Sequence, residues 1–341
     1  MKYTTLGISG LVVSRLSFGA MTFGKGQLVP GVTNHIGQKD ANEMVAKALD
    51  EGVNLFDTAD AYTGGQSEIV LGKALSTRRK DVIIATKCGF RSDDNLISTG
   101  LSYRHILASV EASLRRLETD YIDLYQIHIP DPLTPYEETL RALEDVLRRG
   151  YARYIGFSNF PAWKAAMMIG LQEKMGLRSF ISAQMYYSLL GRDLEHEMVP
   201  FAEAQGLGIL AWSPLSSGFL SGKYTRKNPT PQGARRNQFQ FPPIDSEKGY
   251  DVVDQLKTIV ETHAATIPQV ALAWILSKPY ISSIIIGANS MQQLEDNLMA
   301  VNVDLGDDEL EALDELTAPN PLYPGWMQTM GNDPRIVEAI C

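Results

Sequence analysis

Two patterns of apolar residues alternate along this chain. Short, nearly unbroken apolar runs occupy 16–18, 53–56, 82–85, 121–127, 153–157, 180–184, 208–212 and 283–286. Between them, apolar residues recur every three or four positions. Ala41, Met44, Val45, Ala48 and Leu49 form one such stripe, and Ile106, Val110, Leu114 and Leu117 another; Leu140, Leu143 and Leu147 form a third. Runs that are apolar on both faces suit parallel strands covered on both sides, and the stripes suit amphipathic helices. The same spacing predicts helices at 67–75, 161–175, 194–205, 250–264, 268–277, 291–301 and 307–316.

Turn and cap residues punctuate the pattern. Residues 1–13 read as a hairpin turned at Ile8-Ser9-Gly10. Residues 24–39, with four glycines and a proline, read as an ordered insertion loop. Asp40-Ala41-Asn42-Glu43 and Thr134-Pro135-Tyr136-Glu137 have capping-box spacing, and Ser102 precedes its helix as an N-cap. A Pro/Gly-rich polar insertion covers 213–248, and a Pro-rich tail covers 317–341.

Counting from Leu16 gives eight strand–helix units with no linker between them. That order predicts one α/β domain over 1–341, a (β/α)8 barrel of TIM type with an N-terminal hairpin, extra helices and a tail. In such a barrel the chemistry is carried by loops at the C-terminal ends of the strands. The rule selects Asp57, Lys87, His128, Asn159 and Gln184, with Trp212 and Gly287 further on.

Composition narrows the partners. The chain has 341 residues, 44% apolar and 21% charged, with net charge −9 and pI near 5.2. An acidic chain without a long basic block argues against nucleic acid and anionic membranes. Arg78-Arg79-Lys80 and Arg235-Arg236 read as short solvated runs. Two cysteines, Cys88 and Cys341, allow neither a disulfide framework nor a four-cysteine metal site. No apolar h-region opens the chain, and no run is long enough to span a bilayer. The expectation is a cytoplasmic protein without a metal.

The strand-end residues then suggest a reaction. Singly, each has a structural explanation: Asp57 as a turn residue, Lys87 reaching to water, His128 as a hydrogen-bonded core residue. Together they converge. Lys87 follows an apolar strand, so its ammonium needs a carboxylate, and Asp57 ends the neighbouring strand. Tyr62 lies in the loop above both, and a cation within about 4–6 Å lowers a phenol's pKa. His128 would orient a substrate oxygen. The set could give a proton to an oxygen gaining negative charge. Hydride delivery to a carbonyl carbon matches this, and it requires a hydride carrier. A Schiff-base enzyme using Lys87 is a competing expectation, opposed by Asp57, which keeps the amine protonated.

Five motifs at successive strand ends resemble the aldo-keto reductase family: Leu55-Phe56-Asp57-Thr58-Ala59-Asp60-Ala61-Tyr62, Ile84-Ala85-Thr86-Lys87, Gln126-Ile127-His128-Ile129-Pro130-Asp131, Ile155-Gly156-Phe157-Ser158-Asn159-Phe160 and Ala211-Trp212-Ser213-Pro214-Leu215. The resemblance implies an NAD(P)H-dependent oxidoreductase of alcohol dehydrogenase type that reduces aldehydes or ketones reversibly. It places the catalytic tetrad on Asp57, Tyr62, Lys87 and His128, with Tyr62 as general acid. For the cofactor it implies Gly19, Ala20 and Met21 at the first strand end, with Asp57 below. Ser158, Asn159 and Gln184 would hold the carboxamide, and Trp212 would stack on the nicotinamide. Ser213, Pro214, Leu215, Gly218 and Lys223 would line the pyrophosphate loop.

At the last strand end the resemblance implies Gly287, Ala288, Asn289, Gln293 and Asn297. Family members that prefer NADP place Arg or Lys near positions 289 or 293, whereas this chain has Asn289 and Gln293. Family habit favours NADP(H), with NAD(H) the alternative. Ser290 and Gln293 also have capping-box spacing. Phe23, Phe90, Trp326 and Met327 are candidate walls of a pocket for a small carbonyl or alcohol, and the tail resembles family tails that fold back over the barrel. The alternative within the same resemblance is a cofactor-sensing regulatory module like channel β subunits. A long N-terminal inhibitory segment would favour that alternative, and the chain begins instead at the hairpin.

Overall fold

The apolar runs become strands of a closed parallel barrel. A computed structural model describes residues 1–29, 32–91, 93–328, 335 and 339. A hairpin of β1 (Tyr3–Thr5) and β2 (Val12–Ser14) leads into the first barrel strand, β3 (Leu16–Gly19). A short antiparallel pair, β4 (Gly26–Val29) and β5 (Val32–Asn34), precedes helix α1 (Gln38–Asp50). The barrel continues through β6 (Leu55–Asp57), β7 (Ile83–Cys88), β8 (Ile122–Ile127), β9 (Ala152–Ser158), β10 (Ser182–Tyr186), β11 (Gly208–Trp212) and β12 (Ile281–Ile286). Ile284 pairs with Leu16 and Ile286 with Phe18, which closes the cylinder.

Helices α2 (Gln66–Leu75), α3 (Tyr103–Leu117), α4 (Tyr136–Arg148), α5 (Ala162–Met175) and α6 (Met198–Gln205) alternate with the strands. Then come α7 (Ser246–Thr262), α8 (Ile267–Leu276), α9 (Met291–Leu298), α10 (Asp307–Thr317) and a short α11 (Gly325–Gln328). No single helix among the described residues is long and apolar enough to cross a membrane.

Two apolar layers hold this together. The larger fills the space between strands and helices. The smaller lies inside the barrel, where Leu55, Ile83, Ala85, Leu124, Leu210 and Ile285 meet Leu6 and Val13 of the hairpin. The hairpin therefore closes the end where the strands begin. Its turn is pressed onto the start of β11: the Ile8 amide donates to the Gly206 carbonyl at 2.9 Å. Gly7 has φ +60°, and a Cβ there would lie 2.2 Å from the Gly206 oxygen, so only glycine fits.

Several local expectations change. Helix α1 starts earlier than its capping-box spacing suggests, with Gly37 as N-cap and Asp40 within the first turn. Pro135, not Thr134, precedes α4, because the Thr134 hydroxyl is drawn to Asp131 Oδ2 at 2.6 Å. Ser102 does cap α3, accepting from the His105 amide. Part of the 24–39 insertion is the β4–β5 pair. Helix α7 begins inside the expected long loop because Asp245 caps it, accepting from the Glu247 and Lys248 amides. The basic runs are not simply solvated. Arg79 donates to the Val82 and Tyr121 carbonyls and pairs with Asp123, and Arg236 is buried. Cys341 and residues 329–334, 336–338 and 340 of the tail lie outside the described residues.

Candidate active site

The register of four neighbouring strands assembles the mouth. Gly19 of β3 stands beside Asp57 of β6, Asp57 beside Ala85 of β7, and Lys87 beside Gln126 of β8. Lys87 is fully buried. Its Nζ donates to Asp57 Oδ1 at 2.6 Å and to the Thr58 carbonyl at 2.7 Å, and lies 3.3 Å from the Tyr62 hydroxyl. Burial alone would lower the ammonium's pKa, but Asp57 and the Tyr62 hydroxyl outweigh it, so the net direction is upward and Lys87 stays charged. The other carboxylate oxygen, Asp57 Oδ2, accepts from Gln184 Nε2 at 2.7 Å and Gln126 Nε2 at 3.3 Å. Asp57 thus has three side-chain donors in a dry site, as a buried charge requires.

Tyr62 is lifted over this pair by a tight turn, Tyr62–Gly65, in which Thr63 (φ 50°), Gly64 (φ 61°) and Gly65 (φ 85°) all take left-handed backbone. Its net pKa corrects the sequence expectation. Burial raises it more than Lys87 lowers it, so the phenol remains protonated. Tyr62 as a residue is half-buried, and its hydroxyl faces Lys87 Nζ. His128 follows β8, its ring centroid 5.7 Å from that of Tyr62 and 4.6 Å from that of Phe90. Burial, then Lys87, hold its pKa well below the ordinary value, so the imidazole is neutral at pH 7. Its Nδ1 is buried without a hydrogen-bond partner.

A second chain of contacts runs around the rim. Asn159 Nδ2 donates to the His128 carbonyl at 2.9 Å, and Trp212 Nε1 donates to Asn159 Oδ1 at 3.1 Å. Asn159 has φ +60°, a conformation that asparagine tolerates better than most residues. Ser158 Oγ donates to the Gln184 carbonyl at 2.8 Å. Phe241, from the loop after β11, lies nearly parallel to the Trp212 indole, with centroids 5.7 Å apart at 11°. That loop turns through Ser213 (φ 53°) and Gly218 (φ 83°), with Pro214 buried and Leu215 half-buried. Lys223 is exposed beside Gly218.

The first and last strand ends complete the rim. A Cβ on Gly19 would meet Ile285 at 2.8 Å. Ala20 is buried and Met21 half-buried. The Ala288 carbonyl accepts from Thr22 Oγ1, and the Gly287 carbonyl from Asn297 Nδ2. Ser290 caps α9, accepting from the Gln293 amide at 3.3 Å, and Gln293 Oε1 accepts from the Asn289 amide at 2.9 Å. Gln293 is thus engaged with the helix start itself.

Of the candidate pocket walls, Phe90 reaches the mouth. Phe23 does not: it is fully buried against Phe18, because its turn points into the apolar layer behind β3. Trp326 and Met327 stand on α11, 47% and 45% exposed, with the Trp326 ring beside that of Tyr323.

Three features of the site go beyond the sequence expectations. Gln126 donates to Asp57, and its signal was a lone amide inside an apolar run. Asp60 is buried with both carboxyl oxygens unpartnered; the nearby Ala61 amide favours its charged form without making a sound hydrogen bond. Burial, then the charge of Glu68, push its pKa up to about 8 against the opposing pull of Arg116 and Lys87. Glu68 itself is fully buried, accepting from Thr86 Oγ1 and Arg116 Nε, each at 2.6 Å. Phe241 had no signal, because its contact depends on how a long loop folds back.

A parallel barrel whose mouth holds a protonated phenol, a buried ammonium–carboxylate pair and a neutral imidazole is built to pass a proton to an oxygen. Comparison with known proteins places the chain accordingly: it belongs to the aldo/keto reductase family, whose sequence model matches residues 15–318. It is 34% identical to a versiconal hemiacetal acetate reductase of Aspergillus parasiticus over 95% of this chain and 99% of that protein. It is 33% identical to an aldo-keto reductase of Fusarium vanettenii over 94% and 92% of the two chains. It is also 37% identical to a probable voltage-gated potassium channel subunit beta of Arabidopsis thaliana over 89% and 92%. The family generally acts on small carbonyl compounds with a nicotinamide dinucleotide.

Proposed function

We propose that this protein reduces aldehydes or ketones to alcohols, reversibly, with NADPH, and that Tyr62 is the general acid. The observation that carries this reading is Lys87 Nζ, bound to Asp57 at 2.6 Å and set 3.3 Å from the Tyr62 hydroxyl. The phenol holds its proton until a carbonyl oxygen beside it gains charge. Once the proton leaves, the Lys87 ammonium stabilises the phenolate, and Asp57 keeps that ammonium charged and in place. Neutral His128 donates a second hydrogen bond to the same oxygen. Phe90, against His128, gives the substrate an apolar wall and helps exclude water.

The rim residues fit a nicotinamide dinucleotide. Ser158, Asn159, Gln184 and Trp212 form one linked polar edge beside the tetrad, and the exposed Lys223 lies at the turn through Gly218. When bound there, the dinucleotide supplies the hydride. NADP(H) is favoured over NAD(H), with the start of α9 offering N–H groups to a 2′-phosphate. Asn289 and Gln293 add no positive charge, so the preference rests on that helix start and on family habit. Titrating the protein with NADPH and NADH separately, followed by cofactor fluorescence, measures it.

The decisive experiment is Tyr62→Phe. General acid catalysis contributes about 10²–10⁴-fold, so turnover of an activated aromatic aldehyde should fall by that factor while NADPH still binds. Wild-type turnover in the variant would overturn the assignment. The likeness to a protein named as a channel subunit supports a second reading, a cofactor-sensing regulatory subunit. That reading expects NADPH binding without measurable reduction of any aldehyde by the wild type.

A further inference from the structure

The loops after β7 and β8 meet at one carboxylate, Asp131. Its Oδ1 accepts from the Leu133 amide at 2.8 Å, a bond within its own turn. Its Oδ2 accepts from the Thr134 hydroxyl at 2.6 Å and, 30 residues away along the chain, from the Leu101 amide at 2.7 Å. Burial alone would raise the carboxyl's pKa, but the hydrogen bonds from Thr134, Leu133 and Leu101 outweigh it. The net direction is downward, so Asp131 is an anion at pH 7. Leu101 forms the neck of the loop after β7. Its carbonyl accepts from Thr139 Oγ1 of α4 at 3.0 Å, and beside it the Gly100 amide donates to the Gly89 carbonyl at 3.0 Å. A Cβ on Gly100, at φ +81°, would lie 2.6 Å from Asp131 Oδ2, so the neck runs directly against the carboxylate.

Phe90 follows Gly89 at that neck. It is 40% exposed, and its ring meets that of His128 at 4.6 Å and 73°. A ring so open to solvent is placed by the backbone that carries it more than by packing around it. His128 is held independently: its amide donates to the Cys88 carbonyl at 2.8 Å, and its own carbonyl accepts from Asn159 Nδ2 at 2.9 Å. Releasing the neck would therefore move Phe90 past a stationary imidazole. We propose that Asp131 is a positioning residue for the substrate wall: by clamping the neck of the loop after β7, it holds Phe90 against His128 and gives the site its selectivity for aryl over small aliphatic carbonyl compounds. The proposal rests on Tyr62 being the group that meets the carbonyl. An aryl ring beside that carbonyl gains an aromatic contact from Phe90 only while Phe90 keeps its place, and a short alkyl chain gains little from it.

The test compares 4-nitrobenzaldehyde with propanal at saturating NADPH, in the wild type, Asp131→Asn, Phe90→Ala and the double variant. Asparagine keeps the size of the side chain but sets an N–H against a donor that the second oxygen accepted. In Asp131→Asn the KM for the aryl aldehyde should rise about five- to tenfold with kcat held, the loss of one aromatic contact, while the KM for propanal stays within about twofold. Phe90→Ala should lose the same selectivity, and adding Asp131→Asn to it should remove no more. Equal losses for both aldehydes overturn the proposal, as does a double variant whose selectivity loss is the product of the two single losses. If Asp131→Asn does not fold, Gly100→Ala, which crowds the same oxygen, takes its place in the comparison. If the wild type reduces neither aldehyde, the reading of Tyr62 fails, and NMR of the His128 ring protons decides the clamp separately. Those protons feel the ring current of Phe90, so Asp131→Asn should move them toward their position in Phe90→Ala; an unmoved resonance overturns the proposal.

Discussion

Two carboxyl groups three residues apart, one ending β6 and one on the loop after it, have opposite fates. Asp57 is 3% exposed and has three side-chain donors, one of them a full cation. Asp60 is 4% exposed and has none. Burial is the same, so the difference lies in what the neighbouring strands bring. β7, β8 and β10 each turn a donor toward Asp57, whereas the groups around Asp60 include Glu68, whose charge repels it. A dry carboxyl with donors is an ion, and a dry carboxyl without them keeps its proton. The segment therefore sets one negative charge, at the end of β6, beneath Tyr62 rather than two. That matters for chemistry, because a charge on Asp60 would raise the Tyr62 pKa further.

Lys87→Met breaks the comparison most severely. It leaves Asp57 with amide donors only, and losing one partner of a buried pair costs about 3–5 kcal/mol. Turnover should fall by about 10²–10³-fold or more, since the cation facing the phenol is gone. Urea unfolding and steady-state kinetics check both effects. The double variant Lys87→Met/Asp57→Asn should regain stability without regaining turnover.

Asp60→Asn tests the other half. The unfolded carboxyl titrates near 3.8 and the folded one near 8. Between those values the folded chain holds a proton that the unfolded chain has released. Asp60 therefore supports stability fully only below the lower value, and that support is lost as pH rises to the upper one. Asparagine lacks this loss. The variant should be more stable than the wild type, with a gain at pH 8 on the order of 2–4 kcal/mol larger than at pH 5. Equal gains at both pH values in thermal unfolding would show that Asp60 is ionised in the fold.

Gln126→Leu removes one donor from Asp57 and should destabilise by about 1–3 kcal/mol, read by denaturant midpoint. The smallest effect is expected from Glu68→Gln. Removing that charge, and freeing Arg116, lowers the Asp60 pKa. The pH at which the Asp60 effect levels off should then move down by about one unit or less.

The barrel was legible because its strands are apolar on both faces and its helices are not, a difference that survives without any tertiary information. The tetrad was legible for a related reason: in a (β/α)8 barrel the strand ends share one rim, so chain order alone brings Asp57, Lys87 and His128 together. What could not be read was how competing polar partners divide. Thr134 has the spacing of a cap, yet Asp131 takes its hydroxyl. Lys87 should acidify Tyr62, yet the loss of water around the phenol is the larger effect. Arg235 and Arg236 look alike in sequence, and only the fold of a long loop buries one against carbonyls and leaves the Nε of the other without a partner.

The hairpin at the far end of the barrel has a practical consequence. Gly7 pressed against Gly206 and the apolar packing of Leu6 and Val13 cover the floor of the barrel, so the hairpin end and the mouth are opposite faces of one packed cylinder. A surface that grips the hairpin would hold the protein mouth outward. For immobilisation on an electrode or a bead, a linker placed there would keep the working rim facing the bulk solution.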